Sequence, residues 1–145
     1  MFRIYDKKDK KWIRHDIFLT QNGDLAVIKS RILTGKKIKL LSSQRYQYHM
    51  DIGLRDKLNH LIHEGDICKI DNGQIGLIIY FAEIASFVFV DYSNNKYYPL
   101  SKKLCNSKIQ IVGNCFDNAY LIPQLNKENE TELSEGKTDG KESDR

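Results

Sequence analysis

Residues 52–70, IGLRDKLNHLIHEGDICKI, constrain this chain more than any other stretch. The apolar pair Leu61-Ile62 breaks at Glu64-Gly65-Asp66, and period-two alternation resumes through Ile67, Cys68, Lys69 and Ile70. That is the pattern of a tight turn delivering the chain into a β-strand. Gly65 is the hinge, because the bend needs either a positive φ or a close backbone approach, and both disfavour a side chain. Asp66 is placed to accept bonds from neighbouring amides and fix the bend.

The same stretch holds the residue types of a chemical site. Glu64 and Asp66 form a carboxylate pair, but no second acidic cluster supports acid–base or metal work, and the reading carried forward is a turn. His60, His63, Glu64 and Asp66 are metal-ligand types close together. In a turn followed by a strand, however, residues three apart point to opposite faces, so no metal site is expected. Cys68, Cys105 and Cys115 have no local histidine or orienting partner, and Cys68 and Cys115 sit on predicted strands as small apolar residues. Neither GxxxxGK[ST] nor GxGxxG occurs. The expectation is a protein without catalytic residues, metal or cofactor.

Residues 53–68, GLRDKLNHLIHEGDIC, resemble the stretch GLKDKNGKEIYEGDIV that characterises the YopX family of phage and prophage proteins, with the same spacing from Gly53 to Asp66. Two further blocks agree. Residues 2–8, FRIYDKK, look like the family's opening, and residues 111–118, IVGNCFDN, look like its closing VIGNIYEN, so the resemblance covers roughly residues 2–122. One departure is that the family's Asn-Gly turn becomes Leu58-Asn59, which leaves Asn59 to supply the left-handed residue. The resemblance implies an SH3-like barrel with additional N-terminal strands. It gives no metal site to inherit, since the family holds Lys and Tyr where this chain has His60 and His63.

Length fits one domain with a tail. No apolar run approaches the ~18 residues of a membrane span, and the N-terminus lacks the apolar core of a secretory signal. Three cysteines without a CxxC pair suit reduced thiols in a cytoplasm, which the resemblance implies is that of a bacterial host. The formal charge of +4 divides into −3 for residues 126–145 and +7 for the remainder. A basic body can meet a polyanion, and an acidic tail can screen it.

In chain order, a first hairpin brackets the charged tip 6–10, with Trp12 as a core or interface anchor. A second hairpin turns at Asn22-Gly23, which reads as type I′. Tyr46, Tyr48 and Met50 alternate with Gln47, His49 and Asp51, as in a strand with one buried face. Gln74 to Phe81 reads as a strand covered on both faces, and residues 87–92, 96–100 and 108–116 supply further strands. The expected fold is mainly β: N-terminal β-hairpins over 1–51, a small SH3-like barrel over 52–122, and a disordered acidic tail over 123–145. Gly53, Asn59, Glu64, Gly65, Asp66, Gly113 and Asn114 are its structural turn residues.

Function is then expected on the outside. The leading reading is a non-enzymatic accessory protein of a phage or mobile element, an interaction or assembly module that pairs with copies of itself. The alternative is DNA or RNA binding through Tyr46, Tyr48, Tyr92, Lys96, Tyr97, Tyr98, Lys102 and Lys103, aromatics and bases interleaved as in small β barrels that stack single strands.

Overall fold

The computed structural model describes residues 2–13, 17–31 and 35–125. The protein is mainly β. It divides into two compact units between Met50 and Asp51. The acidic residues 126–145 lie outside the described residues. Pro123 to Leu125, also expected in the tail, belong to the packed structure, since Ile122 and Leu125 are buried in an apolar cluster.

In the first unit, strand β1 (Phe2–Asp6) pairs antiparallel with β2 (Lys11–Ile13) and with the first half of β6 (Tyr46–Arg55). A separate sheet joins β3 (Ile17–Leu19), β4 (Leu25–Arg31) and β5 (Gly35–Leu40) in that order. The exposed Lys7, Lys8, Asp9 and Lys10 make the charged tip that the sequence suggested. Trp12 packs edge-on to Tyr5 with ring centroids 5.0 Å apart, and the Arg3 guanidinium lies 4.5 Å over the Trp12 ring. His49 sits 6.2 Å from Trp12 and is only 4% exposed. The alternation with one buried face expected for Tyr46 to Asp51 does not extend along this part of β6: His49 is buried while Tyr48 and Met50 are 39% and 38% exposed, but Gln47 is exposed as well and Tyr46 is half-buried. In the register His49 lies opposite Arg3, whose guanidinium stacks on the Trp12 ring beside it.

The Asn22-Gly23 turn also differs from a type I′ hairpin. Only Gly23 has a positive φ, +82°, while the Thr20 carbonyl accepts from Gly23 N and Thr20 N donates to the Asp24 carbonyl. That is a three-residue loop ending in a left-handed residue. The same device recurs at 70–74, closed by Gly73 at φ +92°, and at 56–60, closed by Asn59 at φ +67°. Asn59 thus supplies the left-handed residue, as its position required.

In the second unit, five antiparallel strands run in the order β11 (Lys96–Pro99), β10 (Ser86–Asp91), β9 (Ile75–Phe81), β8 (Asp66–Ile70) and β12 (Ile109–Asn114). Strand β7 (Leu61–His63) pairs with the second half of β6. Strand β9 is covered on both faces. Ile78 joins a cluster with Ile62, Cys68, Phe89, Cys105 and Ile109, while its neighbour Leu77 joins Ile67, Ile122 and Leu125. Each fully buried Ile or Phe contributes about 1.5–3 kcal/mol. Gly76 is needed because a Cβ there would run into the Val90 carbonyl and the Phe89 ring. A helix unanticipated by the strand reading, α1 (Lys102–Lys108), is capped by Ser101, whose hydroxyl accepts from Leu104 N at 3.1 Å. It buries Cys105 against the first cluster.

Candidate interaction surface

The buried acids show what chemistry the interior performs. Asp6, Asp56, Asp66 and Asp91 are each 1–2% exposed, and each receives backbone amides at a strand end. Asp56 Oδ1 accepts from Leu58 N at 3.0 Å and His60 N at 2.8 Å, and its Oδ2 accepts from Ile111 N at 3.0 Å. One carboxylate therefore closes the 56–60 loop and fastens it to β12. Burial alone would raise the Asp56 pKa, but the amides of Ile111, His60 and Leu58 prevail and lower it.

Asp6 and Asp91 share a second device. Asp6 Oδ1 accepts from Lys8 N and Asp9 N, Asp91 Oδ1 accepts from Ser93 N and Asn94 N, and the residue four on, Lys10 or Asn95, takes a positive φ. Arg45 donates to Asp6 through Nε at 3.0 Å and Nη2 at 2.7 Å, and this fork is the main reason the Asp6 carboxyl lies far below the usual range. Asp66 Oδ2 accepts from His63 N at 2.8 Å across the Glu64-Gly65 bend. These carboxylates act as acceptors that hold turns, and their lowered affinity for protons at Asp6 and Asp56 suits that role.

Of the other residues expected in turns, Glu64 and Gly65 form the bend before β8, whereas Gly53 falls within β6 and Gly113 and Asn114 within the end of β12. Gly53 and Gly65 have φ of +75° and +82°. Gly65 N donates to the Ile78 carbonyl at 2.8 Å, and its own carbonyl accepts from Cys115 N at 2.9 Å. Glu64 is half-buried, and burial raises its pKa. A Cβ on Gly113 would meet Asn118 Oδ1 at 2.5 Å, while Asn114 Oδ1 accepts from Phe116 N and Asp117 N. His60 is largely exposed, its Nδ1 3.7 Å from Asp56 Oδ2. Among the described residues no group of three or more His, Cys, Asp or Glu is arranged to hold a metal ion, and no helix is long and apolar enough to cross a membrane.

The aromatic and basic surface residues do not form one set. Tyr46 and Tyr48 belong to the first unit, where they line an open cleft of about 560 Å³ with Ser42, Ser43, Gln44 and Gln47. The Arg45 guanidinium lies 5.0 Å over the Tyr46 ring. Tyr92, Lys96, Tyr97, Tyr98, Lys102 and Lys103 belong to the second unit. Tyr98 packs on Phe89 with centroids 6.2 Å apart, and Tyr92 packs on the Ile67 and Leu77 cluster, so both rings serve the core. Lys96, Lys102 and Lys103 are exposed.

Tyr97 is 49% exposed and leans on Phe81 at 5.0 Å. With Ile79, Val88, Val90 and the stem of Lys96 it lines an apolar groove of about 190 Å³ beside β11, the outer strand of its sheet. The opposite outer strand, β12, is covered. Lys57 N donates to the Ile109 carbonyl, Ile111 N donates to Asp56, and Cys115 N donates to Gly65. The sequence could not mark this groove, because its residues come from three strands.

Charge is also unevenly placed. Residues 1–50 hold twelve Lys and Arg against four Asp, a formal +8, whereas residues 51–125 hold seven against eight acids, a formal −1. The basic body inferred from composition is therefore the first unit alone.

Residues 1–123 match the family model described as YopX protein. Among solved structures, the chain is similar to protein EF1440 from Enterococcus faecalis at 20% identity and TM-score 0.50, and to protein yopX from Bacillus subtilis at 12% identity and TM-score 0.53. Each comparison covers 83% of this chain and 96% of the other. At these identities the likeness is one of fold. No curated protein matches.

Proposed function

This chain belongs to the YopX family, and from that premise and the geometry of its outer strand we propose that it is a non-enzymatic accessory protein of a phage or mobile element, acting in the bacterial cytoplasm as an assembly module. The observation that carries the reading is the contrast between the two outer strands of the five-stranded sheet. Strand β12 is covered by Asp56, Lys57 and Gly65, while β11 lies beside an apolar groove rimmed by Tyr97 and Lys96. An outer strand with an adjacent apolar pocket is the arrangement that strand addition uses, main-chain bonds giving affinity and the pocket giving register.

The partner is a second copy. Antiparallel pairing of β11 with its equivalent is self-complementary, so it closes as a two-fold dimer rather than growing into a filament. The buried carboxylates support the non-enzymatic part of the reading, since their oxygens are engaged by amides and, at Asp6, by Arg45.

Light scattering on the full chain across a hundredfold concentration range tests this. The wild type gives a dimer mass at micromolar concentration, and Tyr97→Lys, which puts a charge at the groove, shifts it to monomer with an unchanged melting temperature. A monomer throughout, or a dimer indifferent to Tyr97→Lys, removes β11 as the interface.

A further inference from the structure

We propose that a cleft in the second unit binds a small phosphate-bearing ligand. The cleft, about 520 Å³, is lined by Arg55 at the end of β6, by Lys57 and Asn59 of the loop that follows, and by Lys102 and Asn106 of α1. Three cations from three segments of the chain thus border one space. Residues 51–125 carry a formal charge of −1, so this gathering is local and does not reflect a basic body.

The one acid in the lining is Asp56, and its oxygens accept the amides of Leu58, His60 and Ile111. Its charge is therefore matched by N–H dipoles, and the cations of the cleft are left for another anion. Arg55 is held in place, since its Nη1 donates to the Asn59 carbonyl at 3.0 Å. The rest of its guanidinium fork is available for paired bonds to an oxyanion. Lys57 Nζ is anchored 2.9 Å from Asp71 Oδ1, and Lys57 N donates to the Ile109 carbonyl at 2.9 Å, so the loop that carries it is fastened to β12. Among the described residues Lys102 has no acidic partner, which makes it the cation that a ligand gains outright.

The mixture of donors selects the ligand's chemistry. A carboxylate satisfies one guanidinium fork, whereas a phosphoryl group offers more oxygens and more charge, enough for a fork, an ammonium and the carboxamides of Asn59 and Asn106 together. The volume lies within the range of about 300–1,000 Å³ usual for small-molecule pockets, which leaves room for the group that carries the phosphate. A nucleic-acid backbone instead needs a positive groove that continues from one phosphate to the next. The other exposed lysines considered for that role, Lys96 and Lys103, lie outside this lining. None of the five lining residues borders the groove beside β11, so this site and the proposed dimer stand or fall separately.

Titration calorimetry of the full chain at low salt, with pyrophosphate and with ADP as probes, tests the proposal. Both bind one per chain at submillimolar concentration, and added salt weakens them. A tighter ADP shows that the cleft also holds the carrier; equal affinities confine recognition to the phosphates. Lys102→Gln weakens both probes about tenfold, the loss of one charge-assisted bond, at an unchanged melting temperature. Lys102→Arg binds as the wild type does. Lys103→Gln, one residue on along α1, has no effect.

The proposal is overturned if neither probe binds at millimolar concentration, if Lys102→Gln binds as well as wild type, or if Lys103→Gln weakens binding equally. It is also overturned by an oligothymidylate that binds more tightly than ADP and loses that affinity in Lys102→Gln and Lys103→Gln alike, since the ligand is then a nucleic-acid strand.

Discussion

Asp56→Ala is the substitution that most sharply tests how this fold is held. The wild-type carboxylate accepts three amides, from Leu58, His60 and Ile111, and is almost wholly buried. Hydrogen bonds to a charged group contribute about 1.5–3 kcal/mol each, but an amide that can return to water recovers much of that loss. Leu58 and His60 lie in an exposed loop, so their share is about 0.5 kcal/mol each. Ile111 N sits in a half-buried strand packed on the core and loses its acceptor, which costs about 1–3 kcal/mol. The sum is about 2–4 kcal/mol, a large part of the stability of a small domain.

Urea denaturation measures it as a lower midpoint at unchanged slope, and amide exchange at Ile111 should quicken well beyond the average. Asp56→Asn keeps one acceptor oxygen and should lose about half as much. The pH dependence has a definite sign. Because the folded pKa of Asp56 is lowered, its contribution is fully present above the unfolded value of about 3.9 and is lost as pH falls through the folded value. Wild type should therefore lose more stability between about pH 5 and pH 3 than Asp56→Asn does. An alanine variant within about 0.5 kcal/mol of wild type would refute the claim that this carboxylate fastens the loop to β12.

Three further outcomes follow from local geometry. Gly65→Val should lower stability by about 1–3 kcal/mol, since Gly65 holds φ at +82° with both its amide and carbonyl engaged; melting at the wild-type temperature would contradict this. Gly76→Ala should cost more than Gly73→Ala in thermal melts, because a Cβ at 76 meets the Val90 carbonyl while one at 73 meets open space and faces only the strain of φ +92°, about 1 kcal/mol. With a thiol reagent under native conditions Cys115, half-buried, should react first; Cys105, buried and with its thiol pushed up to about 11, should react only on unfolding.

Turn chemistry was the most legible part of this chain. Gly65 and Asn59 announce themselves because a positive φ restricts which residues fit, and that restriction is local. The role of Asp56 was not legible, since its partner Ile111 is 55 residues away and nothing near Asp56 states the register of β12. The burial of His49 in β6 has a similar origin: Trp12 and Arg3, which pack beside it, are far away in the sequence. Helix α1 had a signal in Ser101 followed by Leu104 and Cys105, but seven residues give too little periodicity to separate a helix from a loop. The candidate surface was the least legible. Tyrosines suit strands whether they pack or protrude, and only the structure shows that Tyr92 and Tyr98 pack while Tyr97 stands at a groove.

The claim beneath the whole account is that the buried acids of this protein hold turns and leave function to its exterior. A carbon-13 titration of the aspartate carboxyls tests it residue by residue. Asp6 and Asp56 should stay ionised below the ordinary carboxylate range, the first because Arg45 grips it and the second because three amides do. A midpoint above about 5 for either would reveal a buried acid kept ready to give up a proton, and would contradict the account.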